Sequence, residues 1–321
     1  MRAVVVKEPG GPEVLRLTEA PDPEPGPGEV VVDVEARGVN FIDIYQRSGA
    51  YAVPTPFVPG VEAAGTVATL GEGVDGPRVG ARVAWAMVPG AYAERAVVPA
   101  DRLVPVPDGV GAEQAAAVLL QGLTAHYLTH STYPVQPGDT VLVHAAAGGT
   151  GLLLVQLAKA RRARVIATVS TDAKADLARA AGADEVIRYD RTEVAPAVRE
   201  LTGGAGVAAV YDGVGAATFD ASLASLRPRG VLALFGQASG AVPPVDPQRL
   251  NSAGSVFLTR PTLAHYVAER EELLERASDV LGLVAAGALR VRVGGRYPLA
   301  EAARAHEDLA GRRTTGKLLL D

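Results

Sequence analysis

The sequence predicts an α/β protein of two domains, one β-rich and barrel-like, the other a doubly wound parallel sheet. Three observations carry this. A chain of 321 residues is too long for one small core and suits about two domains. Before Gly111, short apolar stretches alternate with Gly- and Pro-rich turns, the pattern of an antiparallel barrel. From Pro137 onward strand-like and helix-like segments alternate, which calls for parallel strands because these need long crossovers.

Taken in order, the N-terminal strands are expected at Met1–Val6, Val30–Val39, Ala64–Leu70, Arg82–Met87 and Ala93–Val98. Turn clusters at Pro21–Gly28 and Gly71–Gly76 separate them. Gly111–His130 has helical spacing, no internal proline, and stops before Tyr133-Pro134. Strands at Val141–Ala145, Arg164–Val169 and Glu185–Tyr189 then alternate with helices at Gly151–Ala160, Asp172–Ala181 and Val194–Leu201. Pro196 sits in the first turn of the last helix, where a missing N–H is harmless. Val207–Tyr211, Phe219–Leu226 and Gly230–Phe235 continue the series. After Arg260 the alternation ends. A helix at Glu269–Ala286, a strand at Arg290–Val293, a helix at Ala300–Gly311 and a strand at Lys317–Leu320 form a tail too small to fold alone. The expected division is therefore residues 1–115, 116–260 and 261–321, with the tail returning to the first domain.

Composition narrows the function. Hydrophobic residues make up 48% and charged residues 21%, near the average for globular proteins, which argues against disorder. A net charge of −5 argues against nucleic acid or an anionic membrane as the main partner. The absence of cysteine removes disulfides, thiolate zinc sites, Fe–S clusters and cysteine nucleophiles. Acidic residues follow the N-terminus too soon for a signal peptide, and no apolar run reaches the roughly 20 residues of a membrane span. A cytoplasmic protein is expected.

The most informative segment is Thr140–Gln156, in which Ala145-Ala146-Ala147-Gly148-Gly149-Thr150-Gly151 joins a strand to a helix. Small residues let the backbone approach a pyrophosphate, whose charge then sits on the N–H groups at the helix start. In this strand–turn–helix context the pattern reads as a dinucleotide site. Ribose recognition is expected at the end of the second strand, where NAD sites carry a carboxylate. Ser170 stands there, with Lys174 one turn later and Tyr189 at the end of the third strand. A hydroxyl and an ammonium suit a 2′-phosphate, so NADPH is favoured over NADH. Asp172 is the counter-signal, a carboxylate that can itself take a ribose hydroxyl.

Several further motifs together resemble one family. They are Gly38–Tyr51, Val58–Gly65, Gln121–Ala125, Tyr211–Gly215, Phe235–Gly240 and Thr259-Arg260-Pro261, with the glycine turn already described. Spread over essentially the whole chain, they resemble the medium-chain dehydrogenases/reductases, in their zinc-free quinone oxidoreductase (zeta-crystallin-like) branch. The resemblance implies a GroES-like catalytic domain, a Rossmann domain, a cleft for the nicotinamide between them, and a homodimer. It implies that Asn40, Phe41, Ile42 and Thr124 approach the nicotinamide, and that Gly148, Gly149, Thr150 and Gly151 hold the pyrophosphate. Ser170, Lys174 and Tyr189 would take the 2′-phosphate end. Phe235, Gly236, Ser239, Arg260 and Arg312 would line the rest of the cofactor.

Zinc-containing relatives carry Gly-His-Glu where this chain has Gly60-Val61-Glu62, and His126, His130, His144, His265 and His306 fall in no ligand spacing. No metal is therefore expected, and Glu62 reads as structural. Without a Lewis acid, a ketone or alcohol lacks its usual charge stabiliser. A quinone needs less help, because its reduced form is delocalised, and an α,β-unsaturated carbonyl shares that property in part. The protein's work becomes orientation and exclusion of water. Asn40, Tyr45 and Tyr51 are the candidates on the substrate side, Asn40 to hydrogen-bond a carbonyl and the tyrosines to donate a hydrogen bond or relay a proton. NADPH-dependent quinone reduction is the expected activity, with reduction of an alkenal or enone as the enzymatic rival. From another class comes a binding or structural role, since the family includes crystallins and proteins that bind RNA. Net negative charge and the absence of aromatic–basic interleaving speak against RNA.

Overall fold

The computed structural model describes residues 1–321, which fold as two units. One comprises Met1–Leu123 and Tyr266–Asp321, and the other Thr124–His265. The first begins with β1 (Arg2–Val5) and β2 (Arg16–Glu19), then β3 (Glu29–Val39), α1 (Phe41–Arg47), β4 (Glu62–Leu70), β5 (Arg82–Ala86), β6 (Arg95–Pro99) and β7 (Val104–Pro105). Helix α2 (Ala112–Tyr127) carries the chain into the second unit and ends in a π turn at Leu128–Thr132.

The second unit contains β8 (Thr140–Val143), α3 (Gly149–Ala160), β9 (Arg164–Val169), α4 (Asp172–Ala180), β10 (Glu185–Arg188) and α5 (Val194–Leu201). It continues with β11 (Val207–Asp212), α6 (Phe219–Ser225), β12 (Leu226–Leu234), α7 (Pro247–Ser252) and β13 (Phe257–Thr259), and ends within α8 (Leu263–Tyr266). Its six strands are parallel in the order β10-β9-β8-β11-β12-β13. The order reverses between β8 and β11, the switch point at which such sheets bind ligands beyond their carboxyl ends. β11 is buried along its whole length, as a strand covered on both faces must be. Leu142, Ile166, Val210, Phe219 and Leu232 belong to the packed core.

The chain then returns to the first unit through α9 (Arg270–Ala285), β14 (Val293–Tyr297), α10 (Ala302–Ala310) and β15 (Lys317–Leu320). β15 pairs antiparallel with β3, and β14 parallel with β15, so the tail completes the sheet β14-β15-β3-β4-β5-β7, with β6 on β3. Leu318 and Leu320 share a core with Val30, Val32, Val83 and Trp85. That shared core is why the tail cannot stand alone.

Sequence periodicity placed the penultimate strand at Arg290–Val293, but it runs from Val293 to Tyr297. The Gly294-Gly295 pair lies inside the strand at a register shift against β15. A side chain on Gly294 would run into the Thr315 carbonyl, so close backbone approach demands glycine there. The short elements β2, α1, β7, α7, β13 and α8 carry too little periodicity to be read from sequence. No helix is long and apolar enough to cross a membrane.

Candidate active site

The glycine turn folds back on its own strand. Ala146 donates its N–H to the Thr168 carbonyl at 3.1 Å, Gly148 to Ala145 at 2.9 Å, and Leu152 to Gly148 at 2.9 Å. Ala145 adopts φ 49, a left-handed conformation uncommon outside glycine. A Cβ on Gly151 would fall 2.7 Å from the Ala146 Cα and nearer still to the Ala145 carbonyl oxygen. Gly148 caps α3 without any side-chain hydrogen bond, so the first N–H groups of the helix have no capping side chain. Gly148, Gly149 and Thr150 are half-buried at this edge. A close-packed glycine backbone ahead of an uncapped helix start fits a pyrophosphate.

Beside the turn, Ser170 is half-buried at the end of β9, and Thr171 caps α4 by accepting the Lys174 N–H at 3.2 Å. Tyr189 is exposed and donates its N–H to the Val169 carbonyl at 3.2 Å, so the ends of β9 and β10 bring Ser170 and Tyr189 to one rim, with Lys174 in the first turn of α4, which follows β9. Asp172 on this rim is ion-paired with Arg188, and with Arg191 at 3.3 Å. The Arg188 guanidinium holds the Asp172 carboxyl below the usual range. Neither arginine was singled out from sequence; the signal was their position at the carboxyl end of β10.

Behind the rim lies a buried relay. His144 shares hydrogen bonds with Thr168 Oγ1 at 2.9 Å and Ser222 Oγ at 3.0 Å, and Ser222 donates to Asp212 at 2.7 Å. Asp212 also accepts the N–H groups of Val214 (2.8 Å) and Gly215 (3.1 Å) and the Thr218 hydroxyl. Burial pushes the His144 imidazole down from its ordinary value, against the pull of Asp212. The relay joins β8, β9, β11 and α6 under the glycine turn, and so fixes the loops above it. In those loops Phe235 donates its N–H to Asp212 at 2.8 Å. Ser239 donates its hydroxyl to Val214 (2.8 Å) and accepts the Ala217 N–H (3.0 Å), so its Oγ is engaged within the loop. Gly236 lies against the same segment, because a Cβ there would fall 2.9 Å from the Gly213 Cα. Arg260 is exposed just after β13, and Thr124 is buried in α2.

In the other unit, Asn40, Phe41, Ile42 and Tyr45 all belong to α1 or its cap. Phe41 and Tyr45 have ring centroids 6.2 Å apart, and Tyr45 and Tyr51 5.2 Å, a short aromatic line ending at exposed Tyr51. Asn40 departs from its expected role. It is 4% exposed, its Nδ2 donates to Glu62 Oε2 (2.9 Å) and to the Gly38 carbonyl (3.3 Å), and its Oδ1 accepts from Lys317 Nζ (2.8 Å). Both amide hydrogens are committed, so none is left to donate to a carbonyl.

Asn40 is instead part of a knot. Lys317 Nζ reaches Glu62 Oε2 at 2.5 Å, both side chains are within 1% of full burial, and Glu62 Oε1 accepts the Leu120 N–H at 2.6 Å. A Cβ on Gly38 would fall 2.8 Å from Lys317 Cε, so the motif glycine makes room for this pair. Asp43 closes the start of α1 by accepting the Asn40 N–H at 2.8 Å, and it also accepts the Tyr92 hydroxyl at 3.1 Å. Burial pushes the Asp43 carboxyl up to about 7, against the Asn40 N–H, the Lys317 charge and Tyr92. With Tyr92 donating to Asp43, His306 Nε2 at 3.0 Å must be the donor to the Tyr92 oxygen, which leaves Nδ1 as the unpartnered ring atom. Burial, helped by Arg47, pushes His306 down to about 3. Arg312 is exposed in the turn after α10 of this unit, with φ 56. No group of three or more His, Cys, Asp or Glu stands in an arrangement that could hold a metal.

Comparison with known proteins gives the family. The alcohol dehydrogenase GroES-like domain family matches residues 26–108, and the zinc-binding dehydrogenase family matches residues 149–279. A quinone oxidoreductase of Pseudomonas aeruginosa is 49% identical over 315 residues, covering 97% of this chain and 96% of the relative. A mycobacterial protein solved in complex with NADPH superposes with a TM-score of 0.97 at 57% identity, covering 100% of this chain and 99% of the other. A 2-haloacrylate reductase from Burkholderia sp. is 42% identical over 326 residues, covering 99% of this chain and 98% of the relative.

Proposed function

This chain is an oxidoreductase of the quinone oxidoreductase branch of the medium-chain dehydrogenase/reductase family, and we propose that it passes reducing equivalents from NADPH to a quinone. The observation that carries the reading is near-full-length similarity to a quinone oxidoreductase and to a protein solved with NADPH, joined to a turn whose geometry fits that cofactor. When bound, NADPH supplies a hydride. Gly148 to Gly151 would hold its pyrophosphate, with Ser170, Lys174 and Tyr189 at the 2′-phosphate end. Phe235, Gly236, Ser239, Arg260, Thr124 and Arg312 would line the remainder.

The acceptor is argued from the donor set. Val61 stands where zinc-containing relatives place a histidine, there is no cysteine, and Glu62 is already bound by Lys317, Asn40 and the Leu120 N–H. The chain thus lacks the side chains of a catalytic zinc site. An acceptor whose reduced form is delocalised asks least of such a site. Asn40 serves as a fixed corner at the start of α1, and the helix presents Phe41, Ile42 and Tyr45 from it. Tyr45 and Tyr51 are the hydrogen-bonding groups of the aromatic line. Tyr51→Phe is expected to lower turnover by about tenfold, the upper end for one ordinary hydrogen bond, with NADPH affinity intact; an unchanged rate removes Tyr51 from the reaction.

A second reading, reduction of an activated alkene, is favoured by the 42% identity to a 2-haloacrylate reductase. Steady-state NADPH oxidation against a panel of quinones, enals and 2-haloacrylates separates the two. Highest kcat/KM with quinones is expected. Preference for the alkenes would establish the second reading, and no turnover with any of them would overturn both.

A further inference from the structure

Asp172 speaks against a 2′-phosphate at this rim, and the structure shows what has become of it. Arg188 Nη1 pairs with Asp172 Oδ1, and Arg191 Nη2 reaches Oδ2 at 3.3 Å, so each carboxylate oxygen has a guanidinium partner. Arg188 also grips Asp190 through Nε at 2.8 Å and Nη2 at 2.7 Å, a two-pronged contact that fixes the plane of the guanidinium. Its side chain is only 15% exposed, whereas that of Asp172 is 73% exposed. The better-anchored partner thus positions the freer one. Arg188 is the last residue of β10 and pairs in register with Val169, the last of β9. It therefore directly precedes Tyr189 on β10 and lies beside the residue that precedes Ser170 on β9.

We infer that Arg188 is a specificity-determining residue, one that neutralises Asp172 and Asp190 so that this rim accepts a 2′-phosphate rather than a bare ribose. The inference rests on the NADPH reading above and adds residues to it. A ribose hydroxyl is held best by a carboxylate whose charge is not shared, and the Asp172 charge is shared with Arg188 and Arg191. A 2′-phosphate meets the opposite situation. The two aspartates and two arginines cancel, and Lys174 leaves the rim net positive. Removing Arg188 uncovers carboxylate charge beside Ser170 and Lys174 without touching either.

The test is fluorescence titration of NADPH and NADH on the intact chain, Arg188→Ala, Asp172→Asn and the Arg188→Ala/Asp172→Asn pair, with circular dichroism as the folding check. Arg188→Ala is expected to weaken NADPH by about tenfold at low salt, the scale of one partly screened charge contact, with less loss at high salt. NADH affinity should hold or rise, since NADH has no phosphate to repel and the Asp172 carboxylate is less engaged for its ribose hydroxyl. Adding Asp172→Asn should recover most of the loss, and Asp172→Asn alone should bind NADPH as well as or better than the intact chain. Arg188→Gln, which retains more of the side chain's stem, is the second variant should alanine disturb the strand end. Unchanged NADPH affinity in Arg188→Ala overturns the inference. A loss that Asp172→Asn does not relieve also overturns it, because Arg188 would then act by touching the phosphate itself. An intact chain that binds NADH more tightly is a different result; it overturns the NADPH reading beneath the inference.

Discussion

The two units build their polar sites from different materials. In the unit holding the glycine turn, the site is mostly backbone: Gly148 to Gly151 are consecutive, and a few hydrogen bonds close the turn over one strand end. In the other unit the knot is mostly side chain. Asn40, Glu62 and Lys317 meet from positions 22, 255 and 277 residues apart in the three pairings. A backbone site tolerates change at many side chains but no Cβ at the wrong place. A side-chain knot reverses this, since the buried Lys317 and Glu62 charges are paired with each other and with Asn40. Each unit is therefore fragile in a different place.

Lys317→Met tests the fragile side first. It leaves Glu62 buried beside no cation, and urea unfolding should show a loss of about 3–5 kcal/mol. The Glu62→Gln/Lys317→Met pair should be milder than the single change, because the unpaired charge is gone while the Leu120 N–H keeps an acceptor. A loss below about 1 kcal/mol would break the comparison, placing the pair among ion pairs of little worth. Gly151→Ala is next. Its Cβ meets the Ala145 and Ala146 backbone, so the turn must open, at about 1–3 kcal/mol by thermal unfolding. NADPH affinity should fall with it, and normal binding would show that the close approach is not needed.

The smallest effect sharpens the comparison through pH. His306 is neutral in the fold because burial lowers it to about 3, while in the unfolded chain it titrates near the usual histidine value. A depressed folded value means that the unfolded state takes the proton first as pH falls. The stabilisation is therefore full above about pH 6.5 and is lost progressively toward pH 3. Between pH 6.5 and 5.5 the loss is about 1 kcal/mol, and His306→Leu should flatten that part of the profile. Equal slopes in the two proteins would place the acid sensitivity elsewhere.

What could be read from the sequence follows the same division. Alternating strands and helices from Pro137 onward, and the turn at Ala145 to Gly151, are local patterns, and the parallel six-stranded sheet follows from them. The tail's return was legible as a shortage, too few apolar residues to form a core. The partners of Lys317 were not legible. A lysine before Leu318-Leu319-Leu320 looks like the polar start of a strand, and only β15 pairing with β3 brings it to Asn40. Asn40 was read as a free amide for the same reason: nothing in its neighbourhood along the chain announces Glu62 or Lys317. Arg188 and Arg191 read as ordinary charges around a strand end until β9 and β10 align them with Asp172.

The rim that these strands form carries the central claim, so the most direct measurement is equilibrium titration of the intact chain with NADPH and NADH by cofactor fluorescence, at matched ionic strength. The account predicts tighter binding of NADPH, with the advantage shrinking as salt is raised. Tighter binding of NADH would contradict it, and would return Asp172 to the role of a ribose ligand.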